Sequence, residues 1–284
     1  MAMSVNTNTG AMAALQALNS TSKGLATVQS RINSGLNVSS TKDDSAAFTI
    51  AEKLRGDLGG LKAVTSSLSR AKSVTDVAVA GAEQISDVVN QMKTLAKQAS
   101  DEGVDQASRD AYNKDFTALR DQITTIVNSS EFNGTNLLKT SGGEVSALQS
   151  LGSVSSGSYT ADTLKVENQK MDLATTATTG KLDTGSTIKS ASDAKTMVGT
   201  LDALGKDINT KLSDLGSASR KIDAQSAFAS KLSDAIEGGI GNLVDADLAK
   251  ESAKLQALQV KQQLGVQALS IANQAPQTVT SLFR

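Results

Sequence analysis

The sequence predicts a mainly α protein, in which long helices form a terminal coiled coil and an adjoining helical bundle, with a small β-hairpin or loop region between the helical parts. Three observations carry this reading. Apolar residues recur at intervals of three and four in both halves of the 284-residue chain; that rhythm is lost between about Lys139 and Lys195, where Ser, Thr and Gly dominate; and a single Pro leaves the helical halves almost free of obligatory breaks.

Near the N-terminus, Ala11, Leu18, Leu25 and Ile32 fall seven apart, and Ala14, Thr21 and Val28 fill the intervening positions, which is the heptad seam of a coiled coil. Gly35 ends that helix. Thr41, Lys42, Asp43 and Asp44 then form a helix start, with short polar side chains able to accept from free backbone N–H groups and carboxylates at the positive dipole end. The next helix spans more than about fifty residues, or roughly 80 Å at its rise per residue. It carries Ala47, Leu54, Leu61 and Leu68 on one stripe before the seam shifts to Val74, Ala78, Ile85, Val88, Met92, Leu95 and Ala99, with a kink expected at Gly56 and Gly59-Gly60. A further helix shows Tyr112, Phe116, Leu119, Ile123 and Ile126 on one face and stops before Phe132-Asn133-Gly134, a turn signal.

From Lys139 to Lys195 the chain reads as solvent-exposed hairpins and loops, with short β-like fragments such as Leu164-Lys165-Val166. Helical rhythm returns at Met197, Leu201, Leu204, Ile208, Leu215 and Ile222 and continues through Phe228, Leu232 and Ile236, until Gly238-Gly239 and Gly241 interrupt it. The last helix runs over Leu243, Leu248, Leu255, Leu258, Leu264 and Leu269, and Pro276 stops it. Each terminal helix alone would expose an apolar stripe, so the two are expected to pair. Leu248, Leu255 and Leu269 define one stripe of the last helix, whereas Val260, Leu264 and Ile271 point elsewhere. One face then serves the intrachain partner and the other a neighbouring molecule.

Composition argues against most chemistry. The chain has no Cys, His or Trp and only 2% aromatic residues, so the usual nucleophiles, metal ligands and general bases are nearly absent. No catalytic, cofactor-binding or metal site is expected. A net charge of -1 gives no signature of a nucleic-acid partner, and no apolar run approaches the roughly 20 residues of a membrane-spanning helix. The N-terminal stretch lacks the apolar core of a cleaved secretory signal, so any export uses another route. Asp101, Glu102 and Asp105 do not reproduce calcium-loop spacing and read as helix punctuation. Gly238-Gly239-Ile240-Gly241 lacks the Lys-Ser/Thr and the preceding strand of a phosphate loop and reads as a flexible joint.

Val5-Asn6-Thr7-Asn8 before the Ala/Leu helix, then Gln29-Ser30-Arg31-Ile32-Asn33-Ser34-Gly35-Leu36 and Thr41-Lys42-Asp43-Asp44-Ser45-Ala46, resemble the N-terminal signature of bacterial flagellins. Phe132-Asn133-Gly134-Thr135-Asn136-Leu137-Leu138 is similar to an internal family segment. Ile271-Ala272-Asn273-Gln274-Ala275-Pro276-Gln277 with Ser281-Leu282-Phe283-Arg284 is similar to the C-terminal signature. Three matches in the right order are far more specific than one short motif. Two departures stand out: Asn37 replaces a frequent Arg, and Ala47-Phe48 replaces a common Gly-containing stretch.

The resemblance implies a structural subunit that self-assembles into the flagellar filament for swimming motility. It implies a discontinuous coiled-coil inner layer of residues 1–42 and 241–284, a helical second layer of residues 43–138 and 196–240, and a variable outward region of residues 139–195. Filament-core packing falls to Leu18, Leu25, Val28, Ile32, Leu248, Leu255, Leu258, Leu264 and Leu269. The implied partners are many copies of the chain, hook-associated junction and cap proteins, the flagellar type III export apparatus and an export chaperone, with an extracellular destination. A hook–filament junction protein with similar terminal helices is the alternative, and an enzyme using a Ser or carboxylate site is a distant third. Many flagellins are also recognised by a Toll-like receptor through a helical segment that corresponds here to Val89 through Gln98. Gln91 stands where receptor-active relatives carry Arg and Thr94 where they carry Glu, so weak recognition is expected.

Overall fold

The computed structural model describes residues 7–155, 158–173 and 181–282. Val5-Asn6 and Phe283-Arg284 lie outside the described residues, as does the stretch 174–180 within the Ser/Thr-rich region. Five helices are described: α1 (Thr9–Ser34), α2 (Ser45–Ala99), α3 (Gln106–Ser129), α4 (Ala191–Val244) and α5 (Leu248–Leu282). Four short strands lie between α3 and α4: β1 (Val145–Leu148), β2 (Ser153–Ser155), β3 (Ser158–Thr160) and β4 (Thr163–Val166). β1 pairs antiparallel with β4, Val145 facing Val166, and β2 pairs antiparallel with β3, Val154 facing Tyr159. The chain divides into two compact units, one of residues 1–58 and 234–284 and one of residues 59–233.

The core of the 59–233 unit rests on two heptad seams. On α2, Val64, Leu68, Ala71, Thr75, Ala78, Ala82, Ile85, Val89, Met92, Ala96 and Ala99 alternate in steps of four and three, and all are at most 2% exposed. On α4, Ala194, Leu201, Ile208, Leu215, Ile222 and Ala229 fall seven apart and are equally buried. Removing each large apolar side chain of this set from water is worth about 1.5–3 kcal/mol. α2 and α4 run antiparallel, as the ion pairs Lys72–Asp223 and Lys93–Asp202 show. α3 adds the buried Phe116, Ile123 and Val127.

The turns carry their own logic. Arg109, buried at 6% exposure and without a carboxylate partner, donates to the carbonyls of Ala99, Asp101 and Val104. A cation is favoured there because the C-terminus of α2 concentrates unpaired carbonyl oxygens. Asp105 caps α3, its side chain accepting from the Ser108 amide at 2.9 Å. Asn133 (φ 51°) and Gly134 (φ 80°) form a left-handed turn inside the Phe132–Thr135 bridge. Asn136 then donates to the Val127 carbonyl at 2.6 Å and accepts from the amides of Leu138 and Lys139, which delivers Leu137 and Leu138 fully into the core.

Several expectations need correction. α2 is a single helix across Gly56 and Gly59-Gly60, and from Val64 to Ala99 its seam does not shift, because Ala71, Thr75, Ala82 and Ala96 occupy seam positions where a search for large apolar residues sees nothing. α4 runs unbroken through Gly238-Gly239 and Gly241 to Val244; a glycine costs a helix only about 1 kcal/mol, too little to end one of 54 residues. α5 passes through Pro276 to Leu282, although the proline removes one intrahelical donor and costs a helix interior about 3 kcal/mol. The Ser/Thr-rich region is not wholly exposed: Ala147, Val166, Met171, Leu182 and Ile188 join the core, one at a time and without a repeating period.

The glycines in α2 differ sharply in what surrounds them. A Cβ at Gly59 meets no atom within 4 Å, whereas one at Gly81 would overlap Ser130 Oγ and lie 2.8 Å from Leu138 Cδ1. Ser130 Oγ cannot simply swing away, because it donates to the Ile126 carbonyl at 2.7 Å. Gly59→Ala is therefore expected to stabilise the monomer by about 0.5–1 kcal/mol, and Gly81→Ala to destabilise it. Thermal unfolding followed by circular dichroism checks both; a rise in midpoint for Gly81→Ala contradicts this packing.

Candidate assembly interface

In the 1–58 and 234–284 unit, α1 and α5 pack antiparallel along their length. Leu18 sits over Gly265, Gly24 lies under Leu258, Arg31 faces Glu251, and Leu36 forms a β-bridge with Asp245. The α1 seam is Ala11, Ala14, Leu18, Thr21, Leu25, Val28 and Ile32, each at least half-buried, with Thr21 and Val28 the most enclosed. The facing seam of α5 is Glu251, Leu255, Leu258, Gln262, Gly265, Leu269 and Ala272, again in steps of four and three. Glycine and leucine alternate across the contact in both directions. A Cβ at Gly24 would stand 3.6 Å from Leu258 Cδ1, and one at Gly265 would stand 3.3 Å from Leu18 Cδ1, so Gly265 in particular admits little more.

Glu251 is the charged member of this seam, at 4% exposure. Lys254 Nζ donates to its Oε1 at 2.5 Å and Arg31 Nη1 lies 3.7 Å from the same oxygen, so two cations balance the enclosed carboxylate. Glu251 Oε2 and Arg31 Nε are both buried and find no hydrogen-bond partner within the described residues. A reading based on leucine periodicity passes over this pair, although a Glu on an apolar stripe opposite an Arg is a visible sequence signal.

The nine leucine-type candidates separate into two groups. Leu18, Leu25, Val28, Ile32, Leu255, Leu258 and Leu269 meet in the α1–α5 seam. Leu248 does not join Leu255 and Leu269 as expected: it continues the steps of four and three but is the first residue of α5, and it is 50% exposed. Leu264 is 58% exposed and belongs to another face. Ala253, Ala257, Val260, Leu264, Gln267 and Ile271 repeat the steps of four and three two positions further on, about 200° around the helix. All six are exposed, Ile271 at 68%. α5 thus carries two seams and its own chain covers one.

A backbone clip closes the other end of the pair. The amides of Asn37 and Val38 donate to the Val244 carbonyl at 2.7 and 3.2 Å, and the Ala246 amide donates to the Gly35 carbonyl at 2.9 Å. Gly35, with φ 72°, ends α1 in the left-handed region that favours glycine. Asp44 Oδ1 accepts from the amides of Ala46 and Ala47 and so starts α2. The departure at Ala47-Phe48 is absorbed here, since both residues pack against Val38, Ala51 and Val244.

Gln91 and Thr94 lie in the other unit, in an open groove of about 580 Å³ between α2 and α3 that Leu95, Gln98, Asp115 and Leu119 also line. Thr94 turns its hydroxyl onto the Asn90 carbonyl at 3.1 Å, and neither residue presents a formal charge. Among the described residues, no cluster of three or more His, Cys, Asp or Glu side chains could hold a metal ion, and no helix is long and apolar enough to cross a membrane.

Close-packed terminal helices with a second, uncovered heptad seam define a coiled-coil assembly subunit. The chain belongs to the flagellin family. Residues 5–142 match the bacterial flagellin N-terminal helical region and residues 198–283 the bacterial flagellin C-terminal helical region. Flagellins FljK and FljM of Caulobacter vibrioides are 43% and 44% identical to it, each over 99% of this chain and 98% of the relative. A flagellin of Brucella melitensis is 34% identical over 99% of both chains. The protein is a structural subunit of the self-assembling bacterial flagellar filament, and the hook-junction alternative has no support in these matches.

Asp43 holds the loop between α1 and α2. Its Oδ2 accepts from the backbone and hydroxyl of Ser39, each at 3.0 Å, and from the backbone and hydroxyl of Ser40 at 3.0 and 3.2 Å. These bonds, those from Ser39 foremost, hold its carboxyl below the ordinary value of 3.8. A group with a depressed folded pKa contributes above its unfolded value and is lost as pH falls through the folded one. Protection of the Ser39 and Ser40 amides in assembled filaments should therefore be flat from neutral pH down to about 4 and fall only below that; loss already at pH 5 to 6 contradicts the assignment.

Proposed function

We propose that the chain is secreted and that α5 works on two sides at once in the filament. Its seam of Leu255, Leu258 and Leu269 binds Leu18, Leu25, Val28 and Ile32 of its own α1, while Val260, Leu264 and Ile271 pack against a neighbouring copy. The observation that carries this reading is the second seam: three bulky aliphatic residues, 56% to 68% exposed, at coiled-coil spacing on the face opposite an occupied seam. Exposure of such a stripe is unfavourable for a lone molecule and is relieved by burial between copies. Residues 1–42 with 241–284 then serve as the inner layer, 43–138 with 196–240 as the second, and 139–195 as the outward face. Export through the flagellar type III apparatus with its chaperone, and contact with junction and cap proteins, fit the same role. The chain acts as a structural element and not as an enzyme.

Leu255→Asp with Leu258→Asp is expected to abolish filament growth while leaving the 59–233 unit folded, because two carboxylates would enter an apolar seam without partners. Leu264→Asp should also stop elongation, yet leave the helical content of the monomer unchanged. Seeded polymerisation viewed by electron microscopy, beside circular dichroism of the monomer, decides. Filaments of normal length from either variant would remove the assigned seam.

For the groove at Gln91 and Thr94, we propose weak activation of the flagellin-sensing Toll-like receptor. A neutral amide has neither the charge nor the five fixed donors of a guanidinium, and loss of a central Arg anchor costs more than about 2 kcal/mol at many interfaces. Reporter cells given equal amounts of monomer should respond less than to a receptor-active flagellin, and Gln91→Arg with Thr94→Glu should raise the response. An initial response of full strength contradicts the proposal.

A further inference from the structure

The far end of the α1–α5 pair contains an arrangement that the heptads do not account for. In a regular α-helix the carbonyl of residue 272 accepts from the amide of residue 276. Residue 276 is proline, whose nitrogen carries no hydrogen, so the Ala272 carbonyl has no donor at that position in its own helix. Asn8 supplies one. Its Nδ2 donates to the Ala272 carbonyl at 2.7 Å, across 264 residues of sequence. The other half of the same amide is also engaged, since Oδ1 accepts from the Ala11 amide at 3.0 Å as the N-cap of α1. Only this orientation of the amide satisfies both neighbours.

We propose that Asn8 and Pro276 are a matched pair that fixes the axial register of α1 against α5. Proline frees one carbonyl at one level of α5, and asparagine joins that carbonyl to the first turn of α1. The bond is directional and short, which a contact between aliphatic side chains is not. A slip by one heptad would set Gly24 against Gly265 or Glu251 instead of Leu258 and would leave the Ala272 carbonyl without its donor. Ser, Asp and Asn cap a helix about equally well. Of these, Asn alone combines a strong acceptor with an N–H donor long enough to bridge to a second helix. Asn8 is thus a positioning residue for assembly: by setting the register it sets where the uncovered seam of α5 is presented. This rests on the terminal pair being the assembly element, but it is read from the interaction between two substitutions, which a different outer seam would not alter.

The test uses four full-length chains: the natural sequence, Asn8→Ser, Pro276→Ala, and both together. Serine keeps the cap on α1 and is too short to reach α5, while alanine at 276 returns an amide hydrogen to the Ala272 carbonyl. The critical concentration for seeded filament growth is measured for each. Asn8→Ser is expected to raise it about fivefold in the natural background, the scale of one lost hydrogen bond, and by less than about twofold when residue 276 is alanine. An equal rise in both backgrounds, or no rise in the natural one, overturns the proposal. If Asn8→Ser does not polymerise at all, recovery in the double variant supports the pair and continued failure overturns it. Loss of polymerisation from Pro276→Ala alone also overturns it.

Discussion

Close approach of helices through small side chains is the constraint on which the rest of this structure depends. The chain has five Phe, two Tyr and no Trp, so bulky aromatic anchors are scarce. Contacts between long helices must therefore be gathered in small increments along their length. Ala, Gly and Thr in the seams bring backbones near one another, and each Leu or Ile then fills a hole left by a small residue opposite. Leu258 over Gly24 and Leu18 over Gly265 show this alternation at α1–α5. Gly81 beneath Ser130 and Leu138 shows the same economy in the other unit.

How much of this was legible in the sequence depended on side-chain size. The α1 seam from Ala11 to Ile32 is visible because large residues fall at regular heptad positions among it. The fold class, the Asp105 cap and the Asn133-Gly134 turn follow from local chemistry that needs no tertiary information. The α2 seam is hard to read because four of its positions are the small residues Ala71, Thr75, Ala82 and Ala96, which add little to an apolar stripe traced through large side chains. Buried residues of the Ser/Thr-rich region escaped for a different reason: Leu182 and Ile188 are brought to the core by long-range packing and carry no period. At the interface, the leucines of the seam were readable, and the Arg31–Glu251 pair was open to a reading that attends to charge on an apolar stripe. In the other unit, the role of Arg109 depends on which carbonyls the fold brings to it.

The helices run on past the glycines and the proline expected to end them, and the reason is energetic. Glycine and proline are strong breakers in a short isolated helix, where each residue contributes a large share of the total. In helices of 54 and 55 residues fixed along a seam, the cost of Gly59 or Gly239 is spread over many packed turns. Pro276 differs in kind, because it removes a specific donor as well as adding a local cost. The freed carbonyl finds a partner in Asn8, so the fault in one helix becomes a contact between two.

The two faces of α5 differ in a way that suits their separate tasks. The inner seam mixes leucine with Gly265, Ala272, Gln262 and the enclosed Glu251, and it is completed by directional contacts: the Arg31 ion pair, the Asn8 bond and the backbone clip at Val244. Such contacts have one satisfactory alignment, which suits a pairing that must be the same in every molecule. The outer seam holds Val260, Leu264 and Ile271 beside Ala253, Ala257 and Gln267, with no charged residue at any seam position. Aliphatic contacts lose little when they slide or tilt by small amounts, whereas a hydrogen bond weakens steeply with angle. A fixed inner seam beside a more permissive outer one lets each subunit keep its own register while its contacts with other copies adjust.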